Sequence, residues 1–248
     1  MNKKKFLFIA LIGIIGFEIY LFFNNPRVIV YLEKYRERKT VAGIINLYGE
    51  NVKKRLAPNF EKSGVKYPPD KITIVALKNE KILEVWSEVN EIGTLIKKYA
   101  ILAASGKPGP KLAEGDFQVP EGIYRIEALN PNSGYHLSLK VNYPNAYDRQ
   151  KAIIDNRTKL GKDIFIHGGA ASVGCLAIGD EAIEELFILA AGAVKNDIKV
   201  IIAPYDMRNK NAAAASSENP PSSASSSSQP SWVPELYKTI NDEISKYH

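Results

Sequence analysis

Disulfides are excluded at the outset, because the 248-residue chain holds a single cysteine, Cys175, and a lone thiol has no intrachain partner. The same scarcity removes every metal site built on two or more cysteines. Histidine is scarce too: His136, His167 and His248 are too scattered along the sequence for a His-rich metal cluster. Charge of one sign is in no large excess. The formal net charge is +6, but residues 1–23 supply three lysines and one glutamate, and without them +4 remains. No basic stretch is interleaved with stacking aromatics, so nucleic acid is not an expected partner. Internal repeats are lacking as well. What is present is ordinary for a globular protein, with 45% hydrophobic, 10% aromatic and 24% charged residues, enough for one large domain or two small ones.

Long apolar runs are confined to the start. "MNKKK" (1–5) reads as a positive cytoplasmic n-region, and Phe6–Phe23 is apolar except for Glu18. As a helix that run extends about 27 Å, close to a bilayer's hydrocarbon thickness. No small-x-small site and no lipobox cysteine follows in "FFNNPRVIV". The run therefore reads as an uncleaved anchor with the body outside the cytoplasm, cleavage at an atypical site being the alternative.

Beyond it, residues 24–64 form a helical region. From 28 to 62 the apolar residues Val41, Ile44, Ile45, Tyr48, Val52 and Leu56 recur near the helical period, and Pro58 is expected to stop the helix. The period then changes to two: "KITIVAL" and "KILEVWS" flank "KNEK" as a hairpin, and "TLIKKYAILAASG" continues as strand. A Gly/Pro-rich loop leads into "GIYRI". In "YHLSLKV", Tyr135, Leu137, Leu139 and Val141 share one face, opposite His136, Ser138 and Lys140. "NYPNAYDR" reads as a turn, "DIFIH" as a short buried strand ending on His167, and "DIKVIIAPY" as a last strand. Between the last two, "GDEAIEELFILAAGAV" is an amphipathic helix with Ile183, Leu186, Phe187, Ala190, Ala191 and Val194 on its stripe and Asp180 as N-cap. Residues 65–208 make up the main domain. The Ala/Ser/Pro tract 209–231 reads as a disordered linker, and 232–248 as a helix that docks back. The fold class is α+β, strand-rich with flanking helices.

The chemistry concentrates in "DIFIHGGAASVGCLAIGDEAIEELF", residues 163–187. A cysteine nucleophile needs a base, oxyanion donors and a backbone that exposes sulfur. His167 ends a strand, Gly168 and Gly169 let the chain turn away, and the Gly174 and Cys175 amides offer an oxyanion pocket. The Asp180 helix starts nearby, and its N-terminus is expected to favour the thiolate. The ordinary reading of a single cysteine is a small buried hydrophobe. An exported free thiol is an oxidation liability, however, which favours a functional one. "GAASVG" has P-loop glycine spacing, but Cys-Leu follows where Lys-Ser/Thr is required.

At these residues the sequence resembles the L,D-transpeptidase (YkuD-type) catalytic domain family, nearest its YafK-like subgroup. The likeness rests on "IFIHGGAASVGCLAIGDEAIEEL" and extends to "GPKLAEGDFQVPEGIYRI", "NPNSGYHLSLKVNYPNAYDR" and "APYDMRN". It implies a β-sandwich-like mixed domain with capping helices, acting on peptidoglycan peptide stems in the bacterial envelope at the amide on the L-centre of diaminopimelate, without a cofactor or metal. Cys175 is then the nucleophile, His167 the base, Gly174 and Cys175 the oxyanion site, and Ser172 a residue that shapes the loop beside Gly168. Cys175 follows His167 by eight positions, a compressed form of the family pattern shared by the subgroup. Val173 and Ala177 stand where many members carry polar residues, which leaves transfer to an amine and hydrolysis both open.

Four further residues are weighed as substrate contacts. His136 lies on the polar face of its strand, as a surface residue or a cleft residue. Tyr143, Tyr147 and Arg149 belong to a loop that either binds substrate or is a turn held by pairing of Asp148 with Arg149. Trp86 reads as core, and Glu121 as a turn residue. A non-catalytic wall-binding module is the reading from outside enzymology.

Overall fold

The computed structural model describes residues 15, 18–22, 24–29, 38–89, 92–107, 109–193, 197–209 and 229–248. Residues 1–40 and 41–248 form two separate units. In the first, residues 18–22 and 26–29 are helical. Among the described residues no helix is long and apolar enough to cross a membrane; most of the 6–23 run lies outside them, as do Val194 and residues 210–228 of the Ala/Ser/Pro tract.

The second unit opens with helix α1 (Val41–Ser63), which buries Ile44, Val52, Leu56 and Phe60. Pro58 lies inside α1 and does not end it. Phe60, beyond the proline, is buried and meets Tyr67 edge-on at 5.0 Å. That packing outweighs the hydrogen bond a proline cannot donate.

Among the described residues nine strands follow, with two further helices among them: β1 (Thr73–Leu77), β2 (Ile82–Val89), β3 (Ile92–Ala100), β4 (Ala103–Ala104), β5 (Gly122–Ser133), β6 (His136–Val141), helix α2 (Ala146–Ile154), β7 (Phe165–His167), β8 (Leu176–Ala177), helix α3 (Asp180–Ala193) and β9 (Lys199–Ala203). Helix α4 (Val233–Ile244) closes the chain. The sheet order is β3-β2-β1-β9-β5-β6-β7-β8-β4. Among the described residues only β1–β9 and β7–β8 pair in parallel. The long β5 joins the halves: Gly122–Arg125 pair with β9, and Ile126–Ser133 pair with β6 across two register shifts.

Every residue of β1 is buried because both of its faces are covered. Ile74 and Ala76 enter the main core with α1 and α3, where Leu137, Leu139, Ile183, Leu186 and Phe187 also meet. Val75 and Leu77 face a second cluster with Trp86, Ile201 and the α4 residues Val233, Leu236, Ile240 and Ile244. Each such burial contributes about 1.5–3 kcal/mol, so α4 does dock on the sheet, and Trp86 is core.

Two local expectations are corrected. "AYDR" is the first turn of α2, started by a capping box in which the Asn145 side chain accepts the Asp148 N–H and Asp148 Oδ2 accepts the Asn145 N–H at 2.8 Å. Tyr135 leaves the apolar face of β6: it sits in the turn between β5 and β6, half exposed, while Leu137, Leu139 and Val141 are fully buried as expected.

Candidate active site

Strand β7 holds His167 between two neighbours. On one side His167 is in register with Ser138 of antiparallel β6, and on the other with Ala177 of parallel β8. Cys175 immediately precedes β8. Cys175 thus leads into the strand whose second residue, Ala177, stands in register with His167.

The imidazole is 3% exposed. Its Nδ1 lies 2.6 Å from the Gly168 carbonyl oxygen. A carbonyl only accepts, so Nδ1 donates and the neutral ring keeps its lone pair on Nε2. The group that orients the imidazole is thus a backbone carbonyl, for which no side chain in the sequence could serve as a signal. Gly168 tolerates no side chain: a Cβ there would stand 2.5 Å from Asp180 Oδ1 and 2.7 Å from the Tyr135 carbonyl oxygen. Asp180, the first residue of α3, accepts the Gly169 N–H at 2.7 Å and ties the His-Gly-Gly turn to the helix.

The loop before Cys175 is closed by hydroxyls. Ser172 Oγ accepts the Cys175 N–H at 3.0 Å and donates to the Cys175 carbonyl at 2.6 Å. Gly174, at φ +96°, donates its N–H to Ser105 Oγ at 2.6 Å. Ser105 in turn donates to the Phe117 carbonyl at 2.7 Å. Both amides expected to line an oxyanion pocket are therefore hydrogen-bonded to serines. Ser105 was not visible as a site residue in the sequence, since it lies far from Cys175 in a short segment after β4.

The thiol is half-buried, and its hydrogen-bond partner is the Asp163 carbonyl, 3.9 Å from Sγ; among the described residues it makes no hydrogen bond to His167. Burial pushes the thiol above its usual range, and the Asp163 charge adds to this, while the Phe165 backbone and Lys111 pull the other way. The α3 N-terminus was expected to favour the thiolate; desolvation is the larger effect and acts against it.

The remaining candidates lie in structural contacts. His136 Nε2 is 3.0 Å from Glu184 on α3, and its ring meets Tyr48 of α1 edge-on at 5.7 Å. Tyr143 is buried and donates to the Leu160 carbonyl at 3.0 Å, which removes it from any substrate surface. Tyr147 packs against Trp232 at 6.3 Å. Arg149 is exposed on α2, and Asp148 bonds Asn145 and Tyr124 instead of pairing with it. Glu121 is a buried junction, accepting from Lys78 and Tyr237 at 2.7 Å each. Among the described residues no group of three or more His, Cys, Asp or Glu is placed to hold a metal ion.

A family model described as the L,D-transpeptidase catalytic domain, YkuD, matches residues 70–202. Over 145 residues the chain is 34% identical to the "Putative L,D-transpeptidase YafK" of Escherichia coli strain K12, a match covering 56% of either chain. The chain thus spans about half the length of the curated relatives it matches. Among solved structures, the helical cell shape determining protein Pgp2 of Campylobacter jejuni is 22% identical with a TM-score of 0.46, over 62% of this chain and 56% of that one. Bd1075 of Bdellovibrio bacteriovorus is 22% identical with a TM-score of 0.41, over 56% and 50%.

Proposed function

The chain belongs to the L,D-transpeptidase catalytic-domain family, and on that premise we propose that it is a cysteine acyltransferase of the bacterial cell wall. What supports this reading is the entry of Cys175 into β8, whose Ala177 is in register with His167 on β7, together with the Gly168 carbonyl that holds His167 Nδ1.

In the proposed cycle, Sγ rotates away from the Asp163 carbonyl and passes its proton to His167 Nε2. The thiolate attacks the amide carbonyl on the L-centre of a diaminopimelate residue in a peptidoglycan stem. Rotation of the Ser105 hydroxyl frees the Gly174 N–H for the tetrahedral oxyanion. The C–N bond breaks, the imidazolium returns its proton to the departing amine, and a thioester to Cys175 remains. An incoming amine then attacks the thioester carbonyl and gives a proton to His167 Nε2, the C–S bond breaks, the departing sulfur takes the proton back, and the new amide makes or exchanges a crosslink. In the hydrolytic alternative, water takes the amine's place and the crosslink or attached group is lost.

The same proposal places the protein in the envelope, on the extracytoplasmic side, with residues 6–23 as an inner-membrane anchor. Residues 65–208 are the catalytic domain, residues 24–64 a helical region before it, and residues 209–231 the tether to the closing helix 232–248.

The test is incubation of the full chain with purified sacculi, followed by mass analysis of the muropeptides. New crosslinks or exchanged terminal residues support transfer, and products of cleavage alone support hydrolysis. A Cys175→Ala protein with undiminished conversion overturns both, and no conversion by the unaltered protein, with binding to sacculi unchanged in Cys175→Ala, leaves the wall-binding module.

A further inference from the structure

We propose that Tyr135 is the positioning residue for His167, an aromatic clamp that fixes the plane of the general base and shields it from water. The inference rests on the reading of His167 as base. It begins with an anomaly in the strand pattern: Tyr135 is 51% exposed, yet the imidazole beneath it is 3% exposed. The two rings are stacked, with centroids 4.6 Å apart and planes inclined by 29°.

The placement is built into the backbone. Ser133 Oγ accepts the Tyr135 N–H at 3.1 Å, and His136 follows at φ +70°, so the turn folds back over the end of β7. The Gly168 N–H donates to the Leu137 carbonyl at 3.2 Å, which holds the chain after His167 against this turn. The contact is close: a Cβ on Gly168 would lie 2.7 Å from the Tyr135 carbonyl oxygen, and one on Gly169 would lie 3.5 Å from Tyr135 Cδ1.

Two contacts therefore define the imidazole. The Nδ1–H bond to the Gly168 carbonyl anchors one edge, and the Tyr135 face restrains rotation about the ring axis. With both in place Nε2 keeps one direction, and a general base works only when its lone pair meets the proton it takes. The phenol hydroxyl plays no part in this geometry; the ring does.

The experiment uses the full chain and its Tyr135→Phe, Tyr135→Leu and Tyr135→Ala variants, with His167→Ala as control. Two quantities are measured. One is the initial rate on muramidase-digested sacculi, resolved into kcat and KM. The other is peptide-resolved modification of His167 by diethyl pyrocarbonate, with exposed His248 as internal reference. Tyr135→Phe is expected to keep kcat within about twofold. The Leu and Ala variants are expected to lose about tenfold or more in kcat with KM little changed, the scale of a misplaced catalytic group. In the same two variants His167 modification rises several-fold relative to His248.

The proposal is overturned if the Leu variant keeps wild-type kcat, if only KM moves, if Phe falls as far as Ala, or if His167 already reacts as fast as His248 in the unaltered protein. That last comparison needs no variant to fold. An active His167→Ala protein sinks the base assignment itself, whereas an inactive one beside a fully active Tyr135→Leu protein sinks the clamp alone.

Discussion

Asp148 makes stability respond to pH in a direction opposite to that of an ordinary paired carboxylate, and replacing it by asparagine removes that response. Burial pushes the Asp148 carboxyl up to about 6, even though Asn145 N–H and Tyr124 OH donate to it and the Arg149 and Arg157 charges oppose the shift. In the unfolded chain the same group titrates near 3.9. Between those values the native state binds the proton and the unfolded state does not, so stability rises as pH falls through 6 towards 4. Two pKa units correspond to about 3 kcal/mol. The asparagine variant carries no charge at any pH. Whatever constant cost it bears from the altered capping box, its difference from wild type should change by about 2.4 kcal/mol between pH 8 and pH 4, in favour of wild type at the acid end. Equilibrium urea unfolding at four or five pH values measures the difference directly. A flat difference, or one in which wild type loses ground on acidification, refutes the assignment of Asp148 as a buried, capping carboxylate.

Two further substitutions probe the frame around the site. Gly168→Ala forces a methyl group against Asp180 and the Tyr135 backbone, and is expected to cost about 1–3 kcal/mol and most of the turnover; thermal melts and muropeptide rates check both, and wild-type values would contradict the close packing. Glu185 is 1% exposed and accepts from Arg55 at 2.9 Å, Lys97 at 2.6 Å and Tyr99 at 2.9 Å, joining α3 to α1 and β3. Glu185→Ala removes the acceptor shared by Lys97 and Tyr99, while Arg55 keeps Glu184 at 3.0 Å, and should cost about 3 kcal/mol, the lower end for a broken buried pair because Arg55 and Lys97 still reach water; a loss below about 1 kcal/mol in urea unfolding would contradict it.

What was legible in the sequence follows the strength of the local signal. The stripe Ile183, Leu186, Phe187 and Ala190 is buried in α3 as its period demands, and the β1–β2 hairpin pairs around residues 78–81. His167 does end its strand. The misses each involve a partner distant in sequence or a backbone atom. Pro58 stays helical because Phe60 finds a pocket that the local sequence does not encode. The start of α2 was read as a turn because its cap is Asn145 with Asp148, residues equally at home in turns. Glu185 breaks an apolar pattern, and its three partners come from elements far upstream. At the site, the side chains Cys175, His167 and Ser172 were visible as types, but their orienting groups were not. These are the carbonyls of Gly168 and Asp163, the hydroxyl of Ser105, and the Tyr135 ring that a turn carries out of its strand pattern.

With a single cysteine in the chain, a covalent intermediate has one address. Intact-protein mass spectrometry after rapid mixing with purified muropeptides should reveal an adduct on Cys175 equal to the stem acyl group without its departing amine. The adduct should vanish in Cys175→Ala and form about 10²–10⁴-fold more slowly in His167→Ala. Muropeptide conversion with no adduct at any time, by a protein whose Cys175→Ala form is equally active, would contradict the account at its centre.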